Sequence, residues 1–205
     1  SIVATAQAAR EKAAADAAAA GTPAPDARQL RIAGANATDG AVAKVTVWQE
    51  IGGLIGRFLL AVLAVRIASR RLLMRIFQIP AVIFVPLLFW WISNSLTDAG
   101  TLGLIKAVAF VAGVLVVAQF SFWGNYIPRV FPVHLRGTGE SFAANIGGRV
   151  IGTAAAWFTL TFAAATPPSP VKLAVVAACV AGIYGVLGAL LTRWLPEPPA
   201  QDAGE

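Results

Sequence analysis

The sequence predicts an all-α membrane protein of about five transmembrane helices behind a polar, Ala-rich N-terminal segment. Three observations predict this. The 205 residues are 58% hydrophobic and only 13% charged, where soluble domains carry about 25% charge. Mean hydropathy is +0.71. The few charges are also sorted: between Ile51 and Pro196 the only acids are Asp98 and Glu140, while the bases gather at Arg66, Arg70, Arg71 and Arg75, then at Arg129 and Arg136, then at Arg193. Basic clusters of this kind also occur in nucleic-acid-binding proteins. Here they separate segments too apolar to stay in water, so no nucleic-acid partner is expected, and the clusters mark the cytoplasmic ends of spans.

Residues 1–45 stand apart as a domain of their own. They are Ala-rich with interspersed charges, and Ala favours a helix over 3–20. The Gly21–Pro25 break ends that helix. The rest of the segment reads as a loop or linker. The chain opens on Ser1 without an initiator Met, and its first residues read as the tail of a membrane helix in a longer protein.

The helical bundle is expected over 46–195. Its first span covers 45–68, with Trp48 at one interface and Gly52, Gly53 and Gly56 open to close helix contact. The second covers 72–93. Its Pro80 and Pro86 are tolerated in membrane helices, and Trp90 and Trp91 mark the far interface. The third covers 101–125 and suits a tilted crossing of a hydrocarbon core of about 30 Å. Lys106 near its outer end can snorkel. The loop 126–138 carries Arg129, His134 and Arg136, which places it on the side of the first arginine cluster. A fourth span over 139–165 and a fifth over 171–192 follow, separated by the exterior turn Thr166-Pro-Pro-Ser-Pro170. The tail 196–205 is polar, Pro-rich and expected to be disordered.

Three stretches resemble motifs of the major facilitator superfamily, in its sugar-porter and sialate-porter-like branches. Gly56-Arg57, followed by Arg66 and Arg70-Arg71, resembles the loop between the eighth and ninth helices. Tyr126-Ile-Pro-Arg-Val-Phe-Pro with Leu135-Arg-Gly-Thr-Gly139 resembles the loop between helices ten and eleven, and Leu195-Pro-Glu197 the start of a C-terminal signature. Val65, Ser69 and Arg129 depart from the pattern where the family has Asp, Gly and Glu. The resemblance implies that this chain supplies helices eight to twelve, with an N-terminal half elsewhere as partner. It also implies secondary transport of a small polar solute, an organic anion or a sugar, by alternating access, either coupled to a proton or sodium ion or running downhill. The expected location is a cell membrane, a bacterial inner membrane, with lipid bilayer around a multi-pass protein.

The candidate substrate residues are Arg149, Asn145, Arg57 and Gln119. Arg149 lies ten residues past Gly139, roughly 15 Å into the membrane at 1.5 Å per residue. A charge there costs about 2.5–3.5 kcal/mol on insertion scales. Binding an anionic substrate would offset that cost; so would an acid or carbonyl of the other half, acting as a structural bridge. Asn145 precedes Arg149 by four and shares its helix face. Asn145 and Gln119 each have two readings, contact with substrate or a bond to a neighbouring helix. The candidate gating network is Arg66, Arg70, Arg71, Arg136 and Glu140. Glu140 is expected to open the fourth helix, where an acid meets the positive dipole end, and to pair with Arg66 or Arg70 in one transport state. Arg136-Gly-Thr-Gly139 is expected to form a tight turn and cap.

No catalytic constellation is spaced for chemistry, and the single Cys179 and single His134 offer no metal set. No enzyme activity and no cofactor are expected. The competing readings are a non-transporting membrane scaffold or sensor half and, behind it, a membrane-embedded enzyme.

Overall fold

A computed structural model describes residues 2–21, 23–95, 102–167 and 169–196. The described residues are 90% helix and contain no strand. In order, the helices are α1 (Ile2–Ala19), α2 (Ala27–Arg66), α3 (Arg70–Ser95), α4 (102–130), α5 (136–163) and α6 (Pro170–Leu191). Two of them contain a wider π turn, Gly113–Val117 in α4 and Ala143–Gly147 in α5. The expected exterior loop falls largely on 96–101, and the tail 197–205 follows the last described residue; both lie outside the described residues.

Four helices are long and apolar enough to cross a membrane: Ala27–Arg66, Arg70–Asn94, Gly103–Val130 and Pro170–Trp194. The expected fourth span, 139–165, is helical but is not among them. Arg149, five glycines and four threonines between Arg136 and Ala163 dilute its apolar content.

The expected loop after α1 is instead mostly helix. α2 runs unbroken for 40 residues, roughly 60 Å, twice the thickness of a hydrocarbon core. The helix continues without a break through residue 45. Local chemistry accounts for this. Gly21 adopts φ 63°, a left-handed conformation that a glycine takes without strain. The Asp26 N–H donates to Gln29 Oε1 at 3.1 Å, and an Ala-rich stretch follows. α1 then folds back along α2, with the Arg10 side chain lying over buried Gly34.

α2 and α4 run parallel in close contact. A Cβ at Gly52 would meet the Phe110 carbonyl oxygen, one at Gly56 the Val114 carbonyl oxygen, and one at Gly113 the Gln49 carbonyl oxygen. Side chains at these three positions would force the backbones apart, so the glycines set the spacing. α3 and α6 form a second seam, antiparallel, in which Gly182, Gly185 and Gly188 receive Pro86, Val82 and Gln78. Both prolines lie inside an unbroken α3. Ser69 caps that helix by accepting the Leu72 N–H at 3.2 Å, and Ser169 caps α6 by accepting the Lys172 N–H at 3.3 Å.

The buried core sits at the arginine end of the bundle. Leu60, Leu73, Met74, Phe77, Ala118, Phe122 and Tyr126 form one cluster drawn from α2, α3 and α4. The remaining helix surface is largely uncovered: only 6% of the most apolar stretch of α6 is buried. Such a surface suits contact with lipid or with further helices.

Candidate functional site

Arg149 and Asn145 meet on α5 as the i, i+4 spacing predicts. Arg149 Nε donates to Asn145 Oδ1 at 3.2 Å, and Asn145 Nδ2 donates to the Ser141 carbonyl at 2.9 Å. Both side chains are exposed. α5 starts at Arg136, so Arg149 lies thirteen residues along it, roughly 20 Å from its start and close to its midpoint. The π turn Ala143–Gly147 contains Asn145 and ends two residues before Arg149. A π turn rotates the following residues relative to a regular helix, and such turns gather at functional sites.

Gln119 plays a similar part in α4. Its Nε2 donates to the Leu115 carbonyl at 2.9 Å, inside the π turn Gly113–Val117. In both helices, then, an amide side chain donates to the carbonyl four residues earlier. This gives Gln119 a local role in bracing its own helix.

Arg57 is exposed on α2, one residue past the glycine contact with α4, and has no side-chain partner among the described residues. It does not join Arg149. α2 packs along α4, whereas α5 packs along α6.

The gating candidates divide. Arg70 Nη1 donates to the Ala64 carbonyl at 3.3 Å, and Arg71 Nε to the Leu195 carbonyl at 2.6 Å. Arg66 is exposed without a partner among the described residues. Arg136 Nε is buried and lacks a hydrogen-bond partner. Glu140 pairs with neither Arg66 nor Arg70. It does not open its helix either, because α5 begins four residues earlier, at Arg136. The expected tight turn at Arg136–Gly139 is the first turn of α5, entered through the short 3-10 turn Val133–Leu135. A Cβ at Gly139 would lie 2.6 Å from Phe131 Cγ, so the glycine makes room for the ring that closes the α4–α5 loop. α4 also continues through Pro128 to Val130, past the expected end at Asn125.

Two polar contacts carry no sequence signature. Tyr126, 3% exposed, stacks on Phe122 with ring centroids 5.2 Å apart, and its hydroxyl donates to the Pro196 carbonyl. Thr192 Oγ1 donates to Gln78 Oε1 at 2.7 Å. Only the i, i+4 spacing of Phe122 and Tyr126 hints at their stacking. Among the described residues no cluster of His, Cys, Asp or Glu is placed to hold a metal ion.

Comparison with known proteins finds no matching family model, no matching characterised protein and no matching solved structure.

Proposed function

We propose that this chain forms one half of a secondary transporter that moves a small polar solute, an organic anion or a sugar, across a cell membrane by alternating access. The observation that carries the reading is Arg149. It is a cation near the middle of a mostly apolar helix, braced by Asn145 and left exposed by the other five helices. A buried counter-acid would mark a structural arginine, yet none lies beside it among the described residues. A solute anion held between two halves would offset its cost in the membrane.

The path of the chain supports five crossings. α2 and α4 run parallel, so both end on the arginine side. The turn after α6 bonds Arg71 and Gln78, which places its C-terminal end on the same side and its N-terminus opposite. α5 therefore starts on the arginine side and must deliver the chain to the far side. It is 28 residues long, roughly 42 Å, enough to make that crossing. Five crossings behind an N-terminal hairpin fit helices eight to twelve of a major facilitator fold. Arg149 pairs with no acid among the described residues, and a coupling proton would be taken up by an acid of the N-terminal half. No enzymatic step is part of this reading.

The test is uptake of labelled sugars and carboxylates into vesicles carrying the full-length protein, native against Arg149→Ala and Arg149→Lys. The expected result is saturable uptake of an anion, lost in Arg149→Ala and partly kept in Arg149→Lys, at equal protein levels. Native uptake of every transported solute by Arg149→Ala would sink the proposal. A second reading, a non-transporting scaffold or sensor half, draws on one observation: α2 runs 40 residues, about twice the length that crosses a hydrocarbon core. It predicts no uptake at all.

A further inference from the structure

We propose that the arginine end of the α3–α6 seam binds the headgroup of an anionic phospholipid, through Arg75 and Arg193 with Trp194 beside them. Two bonds fix the seam. Arg71 Nε donates to the Leu195 carbonyl at 2.6 Å, and Thr192 Oγ1 donates to Gln78 Oε1 at 2.7 Å. Arg75 lies between Arg71 and Gln78, one turn from each and on the same face of α3. The bonds therefore bring Arg75 alongside the turn Thr192–Trp194, which carries Arg193. Two guanidinium-bearing residues from helices distant in sequence thus share one corner.

Neither has a partner. Arg75 is half-buried and Arg193 is exposed, and neither makes an ion pair or side-chain hydrogen bond among the described residues. Arg193 alone has a ready explanation, since a cation at a helix C-terminus meets the negative dipole end. Arg75 has none: it sits in the second turn of α3, toward the positive end, beside Arg70 and Arg71. Among the described residues the corner carries basic side chains and no paired acid.

A phosphodiester is the anion that fits. Arginine presents a planar fork to phosphate oxygens and can hold them bidentately. A lipid is favoured over a soluble anion by what flanks the pair. Trp194 is 75% exposed, and indoles settle at headgroup depth. Ile79, one turn past Arg75, and Leu191, just before the turn, are exposed along the route an acyl chain would follow. Basic pockets between membrane helices on the cytoplasmic side are a recurrent site for anionic headgroups. The proposal rests on the membrane reading and is independent of what the protein transports.

The experiment is native mass spectrometry of the purified protein titrated with phosphatidylglycerol or with phosphatidylcholine. Phosphatidylglycerol is expected to bind in preference to phosphatidylcholine. Arg75→Ala or Arg193→Ala should weaken its adduct about fivefold, and the double variant about thirtyfold. Arg28→Ala with Arg31→Ala removes the same charge from the far end of α2 and should leave the adduct unchanged. Should the double variant fail to fold, Arg193→Gln alone, at an exposed and unpartnered position, gives the fivefold test. Native binding by Arg193→Gln or by the double variant, an equal loss in the α2 control, or displacement of the lipid by inorganic phosphate would each overturn the proposal.

Discussion

Arg71 donates its Nε to the Leu195 carbonyl at 2.6 Å, tying the first turn of α3 to the end of the turn after α6. The next carbonyl, of Pro196, accepts from the Tyr126 hydroxyl of α4. Three helices are thus fastened through two consecutive backbone carbonyls above the buried cluster.

Cutting this clamp should loosen the C-terminal segment before it unfolds the bundle. A hydrogen bond to a charged group contributes about 1.5–3 kcal/mol and a neutral one about 1 kcal/mol. Arg71→Ala should therefore speed limited proteolysis near residue 196 more than Tyr126→Phe does. Equal protection in both variants and the native protein would show that the carbonyl contacts do not hold the segment.

The α2–α4 contact should tolerate no side chain. Gly56→Leu and Gly113→Val place atoms on the Val114 and Gln49 carbonyls. Overpacking of this kind costs about 1–3 kcal/mol or more. The expected outcome is a lower midpoint in denaturant titration in detergent, whereas Gly103→Ala, in open space at the start of α4, should be neutral. Unchanged midpoints for Gly56→Leu and Gly113→Val would mean that α2 and α4 lie further apart.

Gln78 and Thr192 should behave as a unit. Each single change, Gln78→Ala or Thr192→Val, should cost about 1 kcal/mol, and the double change less than the sum. A double-mutant cycle in the same titration measures the coupling. Strict additivity would mean the 2.7 Å bond contributes nothing.

Labelling can test the path of α5. In a Cys179→Ser background, cysteines at Ser69 and His134 should react from the arginine side, and one at Thr166 from the opposite side. If Thr166→Cys reacts from the same side as His134→Cys, α5 does not cross.

Asn145 should matter through Arg149. Asn145→Ala removes the acceptor at 3.2 Å and leaves the guanidinium free to swing. Transport assays should show a higher KM, by about tenfold or more, with membrane levels unchanged. A native KM would assign Asn145 to helix bracing alone.

Much of this fold was legible one residue at a time. Pro80 and Pro86 inside an apolar run, the glycines at 52, 53 and 56, and the gathering of arginines at one end of the apolar helices each follow from what a bilayer allows, because it acts on every residue by depth. The i, i+4 pairing of Asn145 with Arg149 was legible for the same local reason. Helix ends were not. α2 begins at Ala27 because Ala propensity, the Asp26–Gln29 bond and the α1 hairpin outweigh the polarity of that stretch. α5 begins at Arg136 because Gly139 accepts the Phe131 ring.

The sequence by itself determined an all-helical chain with membrane-length apolar helices and a charged end, since composition and periodicity decide how each segment meets water or lipid. The tertiary structure alone decided which helices touch. It set Gly113 against Gln49, Thr192 against Gln78 and Leu195 against Arg71, and it separated Glu140 from the arginines expected to meet it. Those pairings depend on how ridges and glycine gaps fit between helices distant in sequence, and no local pattern encodes that fit.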